Sequence, residues 1–260
     1  CMAPQNSRTS VGLYRRAAYA DAGSALQFKF IDTWANHPRL ADAFAERLRP
    51  MWFHACEVIG AKVPVLFTAH SVPSRTVLAQ PANASTSPSP IGALAASAGP
   101  VRPTAPERSY ALPANAPNGP DPYAMEAKLT ATLVAERLAS DGLAQQDWFF
   151  AFQSQGASAG PQGSSSGWIG PTVEDTLLSL HQEGHRGVVL QPIGFLCDHV
   201  EILYDIDIAF QQQANKLGLK LFRPESLNVS PLLIETLADL ASHGLAQLRA
   251  ISPTPETAPA

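Results

Sequence analysis

Short apolar runs alternate along this chain with longer stretches in which apolar residues recur every three or four positions. The first pattern predicts buried strands, and the second predicts amphipathic helices. Three runs are predicted to be strands: Val63–Ala69, Trp148–Phe152 and Val188–Leu196. Because helical stretches separate these runs, we expect an α/β fold whose parallel sheet is flanked by helices.

The helical stretches have recognisable beginnings and ends. Apolar residues recur every four positions from Pro38 to Arg49, which predicts a helix that stops at Pro50. Thr172 and Asp175 have the spacing of a capping box. The other predicted helices span 11–22, 121–138, 172–184, 202–218 and 230–248, and short strands are expected at 27–31 and 220–222.

Two segments differ from this pattern. Pro, Ala and Ser dominate residues 77–120, and the apolar periodicity is lost there. Such a composition cannot bury enough surface to offset the entropy of ordering, so we expect a disordered insertion. We expect the Pro-rich tail at 251–260 to be disordered as well.

Charge and composition exclude several classes of protein. The net charge is −4 and the basic residues do not cluster, which argues against nucleic acid as a partner. No apolar run reaches the roughly 18–20 residues that span a bilayer, and no signal peptide is present, so we expect a cytoplasmic protein. The three cysteines are scattered and form neither a disulfide framework nor a thiolate metal site. The chain opens on Cys1 rather than Met, from which we expect a fragment lacking its amino-terminal portion.

His70 and Glu201 each follow a predicted strand. Ligands of open α/β sheets bind outside the carboxyl ends of the strands. An imidazole and a carboxylate placed there can bind a divalent metal and accept protons. We therefore expect the tips of His70 and Glu201 to lie about 4 to 8 Å apart.

Each of these residues also has a purely structural explanation. A single histidine at a strand end is usually just hydrogen-bonded. Glu201 follows Asp198 by three residues, so its carboxylate could instead cap its own helix by reaching back to the amide of Asp198. His199 lies about 200° from Glu201 around a regular helix, so both face one cleft only if the first turn is widened. The spacing leaves capping and catalysis equally open for Glu201.

Two further residues are candidates for the same cleft. Asp205 lies four residues after Glu201 on the same helical face, where two carboxylates repel unless a cation or proton lies between them. Trp168 follows a Gly- and Ser-rich loop; it either closes the core or lies flat on an aromatic ligand.

Several sequence blocks, in this order, resemble the ferrochelatase family. They are FTAHSVP (Phe67–Pro73), DPY (Asp121–Tyr123), FQS (Phe152–Ser154), WIGPT (Trp168–Thr172), PIGF (Pro192–Phe195), DHVEILY (Asp198–Tyr204) and SLN (Ser226–Asn228). The opening MAPQNS (Met2–Ser7) resembles the family's segment near the end of its first domain. Together the blocks are highly specific.

The resemblance implies the class II chelatase fold, in which two Rossmann-like domains enclose a porphyrin cleft. By this resemblance residues 1–30 would be the remnant of the first domain. Residues 31–76 and 121–230 would form the complete second domain, and 231–250 a carboxyl-terminal helix.

The resemblance also implies a reaction, the insertion of Fe²⁺ into protoporphyrin IX with release of two protons. The implied catalytic residues are His70, Glu201 and His199, and the implied metal ligands are His70, Glu201 and, secondarily, Asp205. Porphyrin contacts would come from Trp168, Asn6 and Ser7. Coproporphyrin III as substrate, a cobalt or nickel chelatase of the same fold, and a non-catalytic tetrapyrrole-binding remnant are the alternatives.

The chain also departs from the family's pattern. A third acidic position after Glu201 and Asp205 is Ala209 here, and a usually basic position is Gln155. The tail carries no cysteine, so no iron–sulfur cluster and no resident cofactor is implied. Partners would be porphyrin and Fe²⁺, with peripheral membrane contact as a further possibility.

Overall fold

A computed structural model describes residues 4–5, 8–21, 26–72, 122–154 and 168–251. The predicted insertion at 77–120, the tail at 252–260, and the candidates Asn6 and Ser7 lie outside these residues.

Four parallel strands form the centre of the fold. They are β1 (Val65–His70), β2 (Trp148–Gln153), β3 (Gly187–Pro192) and β4 (Lys220–Phe222). Their order across the sheet is β2-β1-β3-β4. In this register His70 lies beside Gln153 and Thr68 beside Pro192, so the carboxyl ends of three strands meet at one edge. The prediction of a parallel α/β sheet is confirmed.

Helices cover both faces of this sheet. The described helices are α1 (Arg8–Asp21), α2 (Pro38–Ile59), α3 (Tyr123–Arg137), α4 (Val173–Gln182), a π-helix (Ile202–Phe210), α5 (Gln211–Lys216), α6 (Pro231–Ile251) and two 3₁₀ turns (Ala139–Asp141 and Gln145–Asp147). One apolar core lies between the sheet and α2, α3 and α6, and a second lies between the sheet and α4, the π-helix and α5. Strands buried on both faces explain why their sequences are continuously apolar.

One predicted strand, Gln27–Ile31, does not form. Among the described residues this segment pairs with no strand and belongs to no helix. Phe28 and Phe30 pack instead against Tyr19 of α1, with ring centroids 5.7 and 6.1 Å from the Tyr19 ring. The aromatic residues of this segment therefore pack on a helix rather than in a sheet.

The predicted end of α2 at Pro50 is also wrong, because the helix continues to Ile59. Leu48, Trp52 and Ala55 are all buried on one side of this helix, on both sides of the proline. Their burial outweighs the roughly 3 kcal/mol that an interior proline costs. The helix ends at Gly60, whose φ of 70° is the left-handed conformation that glycine adopts readily.

The third strand is shorter than predicted, ending at Pro192 rather than Leu196. Residues 193–199 then form a loop, and helical structure begins at Val200. From Ile202 the helix widens into a π-helix of nine residues. His199 lies in the loop before this helix, so the 200° that would separate it from Glu201 in a regular helix does not apply, and the π-helical winding begins only after Glu201.

Candidate functional site

His70 is the last residue of β1, and its ring orientation is set by the next residue. The Nδ1 atom of His70 lies within hydrogen-bond distance of the Ser71 carbonyl oxygen. A carbonyl can only accept, so Nδ1 carries the proton and the neutral ring keeps a free lone pair on Nε2. The side chain is 33% exposed. His70 therefore presents a basic nitrogen at the carboxyl edge of the sheet.

Glu201 lies opposite this nitrogen. Its Oε2 atom is 3.8 Å from His70 Nε2, just below the expected separation, and its side chain is 42% exposed. Glu201 makes no capping hydrogen bond. The amide of Asp198, which a capping glutamate would need, donates instead to Asn228 Oδ1 at 2.9 Å. The geometry thus leaves the Glu201 carboxylate free to face His70.

His199 reaches the same site through an aromatic contact. Its ring lies 4.5 Å from that of Phe195, which in turn lies edge-on to His70 at 6.3 Å. The Nδ1 atom of His199 accepts the Glu201 amide at 3.3 Å, so in the neutral ring Nε2 carries the hydrogen. That Nε2 atom is buried and has no hydrogen-bond partner among the described residues.

The loop after β3 brings Phe195 to this position. A Cβ atom on Gly194 would lie 3.1 Å from the backbone of Ala69 in β1, closer than most side chains tolerate. Only glycine lets the two segments approach so closely. The PIGF block therefore has a structural reason, which is to place Phe195 beside His70.

Asp205 is the next carboxylate after Glu201 along the same helix. A residue at the end of a second strand, β2, binds it. Ser154, directly after β2, donates its hydroxyl to Asp205 Oδ2. Ser154 has a φ of 59°, a left-handed conformation that is uncommon for a serine and often marks a functional site.

Glu174 in the first turn of α4 lies near enough to interact with Asp205. Burial raises the pKa of Glu174 above its usual value, and the charges of Asp175 and Asp205 raise it further. Asp205 therefore has an acidic neighbour on another helix, although the third acidic position on its own helix is Ala209. Nothing in the sequence pattern indicated Glu174, because the contact is tertiary.

Trp168 lies close to the end of β1. The next residue, Ile169, donates its amide to the Val72 carbonyl at 3.0 Å, and its own carbonyl accepts from Ser71 Oγ at 2.8 Å. These bonds hold the backbone at Trp168 beside the segment that follows His70. The Trp168 side chain is half-buried.

Asn6 and Ser7 lie outside the described residues, but their neighbour Gln5 is buried at the same edge of the sheet. Its Nε2 atom donates to the Ile193 carbonyl at 3.3 Å and to Thr130 Oγ1 at 3.2 Å. Ile193 directly follows β3. Gln5 lies within the MAPQNS block, but no local pattern singles it out from its neighbours.

Within the described ranges, no group of three or more His, Cys, Asp or Glu residues could hold a metal ion. None of the helices described is both long enough and apolar enough to span a membrane.

Comparisons with known proteins agree on one family. The family model described as ferrochelatase matches residues 1–245. A ferrochelatase of Acidobacterium capsulatum is 55% identical over 258 residues, covering 99% of this chain and 68% of the relative. A ferrochelatase of Deinococcus radiodurans is 32% identical over 250 residues, 95% of this chain and 64% of that protein.

A third relative, a coproporphyrin III ferrochelatase of a Geobacillus species, is 28% identical over 241 residues, 91% of this chain and 61% of its own length. The chain thus spans between 61 and 68% of the length of these three curated relatives. The family model covers nearly the whole of it, including every residue of the described site. The chain belongs to the ferrochelatase family.

Proposed function

We propose that this chain inserts Fe²⁺ into a porphyrin and releases two protons. The observation that carries the proposal is the free Nε2 lone pair of His70 facing the Glu201 carboxylate at 3.8 Å. Family membership supports the same reaction.

The separation of the two groups suits a shared metal ion. Two bonds of about 2.1 Å can join donor atoms that lie up to about 4.2 Å apart. Imidazole nitrogen and carboxylate oxygen suit ferrous iron, and they avoid the tight binding that a set of thiolates would give. His70 and Glu201 can therefore hold the Fe²⁺ substrate briefly and release it to the ring.

The same two groups can accept the protons that leave. Once the iron has left His70 for the ring, the freed Nε2 lone pair accepts one pyrrole proton, and the Ser71 carbonyl stabilises the resulting imidazolium through its Nδ1–H. Glu201 pairs with this imidazolium or takes the second proton. Asp205, held by Ser154, offers the next carboxylate along the helix. Both protons then return to water, so one Fe²⁺ replaces two H⁺ in the ring.

The porphyrin must bend so that its nitrogen lone pairs meet the metal, and rigid aromatic walls can use binding energy for that distortion. Phe195 lies edge-on to His70 and is one such wall. We propose Trp168, Asn6 and Ser7 as further porphyrin contacts. No resident cofactor enters this scheme.

The test is metal insertion by the purified protein. Protoporphyrin IX is mixed with Zn²⁺, or with Fe²⁺ in the absence of oxygen, and the metalloporphyrin absorption is followed. We expect insertion that requires the protein and fails after His70→Ala. Porphyrin binding without insertion would contradict the proposal and support a non-catalytic tetrapyrrole-binding role.

The choice of porphyrin and metal is a second, finer proposal. We propose protoporphyrin IX, whereas the name of the Geobacillus relative makes coproporphyrin III the competing substrate. Parallel assays with both porphyrins, each with Fe²⁺, Co²⁺ and Ni²⁺, separate these alternatives by kcat/KM. A cytoplasmic location and peripheral membrane contact are proposals of the same kind, and cell fractionation tests both.

A further inference from the structure

The π-helix that carries Asp205 and follows Glu201 is unusually long. π-helical winding mostly occurs as single-turn bulges, because its hydrogen bonds are less favourable than those of an α-helix. Here it extends over nine residues. The stretch needs external contacts to keep it from relaxing into the more stable α-helical winding.

Arg223 supplies contacts of this kind. It follows β4 directly, and its side chain is only 15% exposed. Its Nε and Nη2 atoms donate to the two carboxylate oxygens of Asp207 at 2.5 and 2.8 Å. This is the bidentate geometry that makes arginine–carboxylate pairs both strong and directional. Asp207 lies in the middle of the π-helix.

The same guanidinium also contacts the segment before the helix. Its Nη1 atom donates to Asp198 Oδ1 at 3.3 Å. Asp198 is held in turn by Ser226 Oγ at 2.7 Å and Asn228 Nδ2 at 3.0 Å. Burial of Asp198 opposes its ionisation, but the hydrogen bonds from its three partners outweigh that and hold its pKa below the usual value. Asp198 is therefore a fixed, charged anchor.

These two carboxylates lie on either side of Glu201 along the chain. Asp198 precedes Glu201 by three residues, and Asp207 follows it by six. An α-helix turns by about 100° per residue. A π-helix turns less, because its hydrogen bonds span five residues rather than four. Relaxation to α-helical winding would thus rotate Asp207 relative to Asp198, and one guanidinium could no longer hold both.

We propose that Arg223 is a positioning residue, which holds the π-helical winding and thereby keeps Glu201 opposite His70. Arg223 contacts neither of these side chains in the structure and acts only through Asp198 and Asp207. This inference rests on the proposed function for its consequence in catalysis, but its structural part does not depend on activity.

The test compares Arg223→Gln with a matched variant. Arg137 donates one hydrogen bond to Asp42, at 2.6 Å, on the opposite face of the sheet, so Arg137→Gln removes an arginine–aspartate pair without touching the site. Amide hydrogen exchange is measured for residues 200–210 in the folded protein. We expect exchange there to be at least about tenfold faster in Arg223→Gln and unchanged in Arg137→Gln.

Metal insertion is measured on the same variants. Misplacement of a catalytic group by about 1 Å costs up to about a hundredfold in rate, so kcat should fall by about ten- to a hundredfold in Arg223→Gln. The KM for porphyrin should change little. Asp207→Asn should also lower kcat, and the double variant should be no worse than Arg223→Gln alone, because Asp207 has already lost its partner there. Arg223→Lys should restore activity only in part, since lysine cannot bind bidentately.

Unchanged exchange in residues 200–210, or a kcat of Arg223→Gln that matches Arg137→Gln, would overturn the inference. If the unmodified protein inserts no metal, the proposed function fails, while the exchange comparison still decides whether Arg223 holds the helix.

Discussion

The Ser71 carbonyl determines how His70 can act, because it fixes the tautomer. Replacing His70 by Ala removes both the base and a metal ligand, and loss of a general base alone costs about 10²- to 10⁴-fold. We expect metal insertion to fall by at least that factor. The melting temperature should change little, since the side chain is partly exposed.

His185 provides the control for this experiment. It lies 3.7 Å from Glu183 with an exposure of 32%, nearly the same as the His70 and Glu201 pair. His185→Ala should leave insertion intact. Equal effects of the two substitutions would mean that His70 has no special role.

Glu201→Gln tests the carboxylate itself, because glutamine keeps the size of the side chain and loses only the charge. We expect insertion to fall about a hundredfold or more while stability stays nearly normal. Turnover preserved in this variant would instead support the capping explanation, because glutamine can still occupy the N3 position of a capping box. The occupied amide of Asp198 already argues against that outcome.

At the scale of single residues, short motifs predicted those site residues that a single continuous segment identifies. His70 and Glu201 follow from their positions after apolar runs and from the family blocks. Ser154 and Phe195 lie inside those blocks, but their contacts with Asp205 and His70 depend on loop geometry. Arg223 contacts residues 16 and 25 positions away, and no local pattern marks a contact of that kind.

At the scale of elements, periodicity predicted all the described strands of the sheet and failed where packing overrides local preference. Pro50 is the clearest case, because the buried residues on both sides of it stabilise the continuation of α2 past the proline. Gln27–Ile31 failed for the opposite reason, since a strand needs a partner and the described residues offer it none. The apolar residues that follow Pro192 likewise belong to a loop and do not extend the strand.

Pro50 yields a prediction about α2. Replacing it by Ala restores an amide donor and removes a steric clash, but it also increases the freedom of the unfolded chain. We expect a net gain of about 1 kcal/mol in the free energy of unfolding, measured by denaturant titration.

Pro231 is the matched control, because it is the first residue of α6, where proline is favourable. Pro231→Ala should therefore be neutral or slightly destabilising. A loss of stability in Pro50→Ala would show that the helix is adapted to the proline.

At the scale of the whole molecule, two apolar cores on opposite faces of one sheet leave the carboxyl edge free for polar groups. Polar side chains on β1, β2 and β3 near that edge are buried, among them Thr68, Gln153 and Gln191. The doubly covered sheet could be predicted from its continuous apolar strands. The depth at which polar and charged groups are buried could not, because it depends on how neighbouring elements pack.

Lys128 shows the consequence of such burial for stability as a function of pH. Its amine lies on α3, 5.8 Å from the centre of the Phe150 ring, and burial lowers its pKa from 10.5 to about 8. Between these two values the unfolded chain binds more protons than the folded one, so this group makes stability rise with pH across that window. At pH 7 both states are protonated, and the buried charge costs the folded protein its full penalty.

Lys128→Met keeps an unbranched side chain, one heavy atom shorter, and removes the charge. We expect it to raise the free energy of unfolding by about 1–2 kcal/mol at pH 7, with the gain shrinking as the pH approaches 10. Denaturant titrations from pH 7 to 10 measure this. Lys220 is the control, because its amine also lies over a ring, 5.5 Å from Phe222, but the residue is exposed. Lys220→Met should leave the pH dependence unaltered. If Lys128→Met were less stable at every pH, the contact with Phe150 would outweigh the cost of burying the charge.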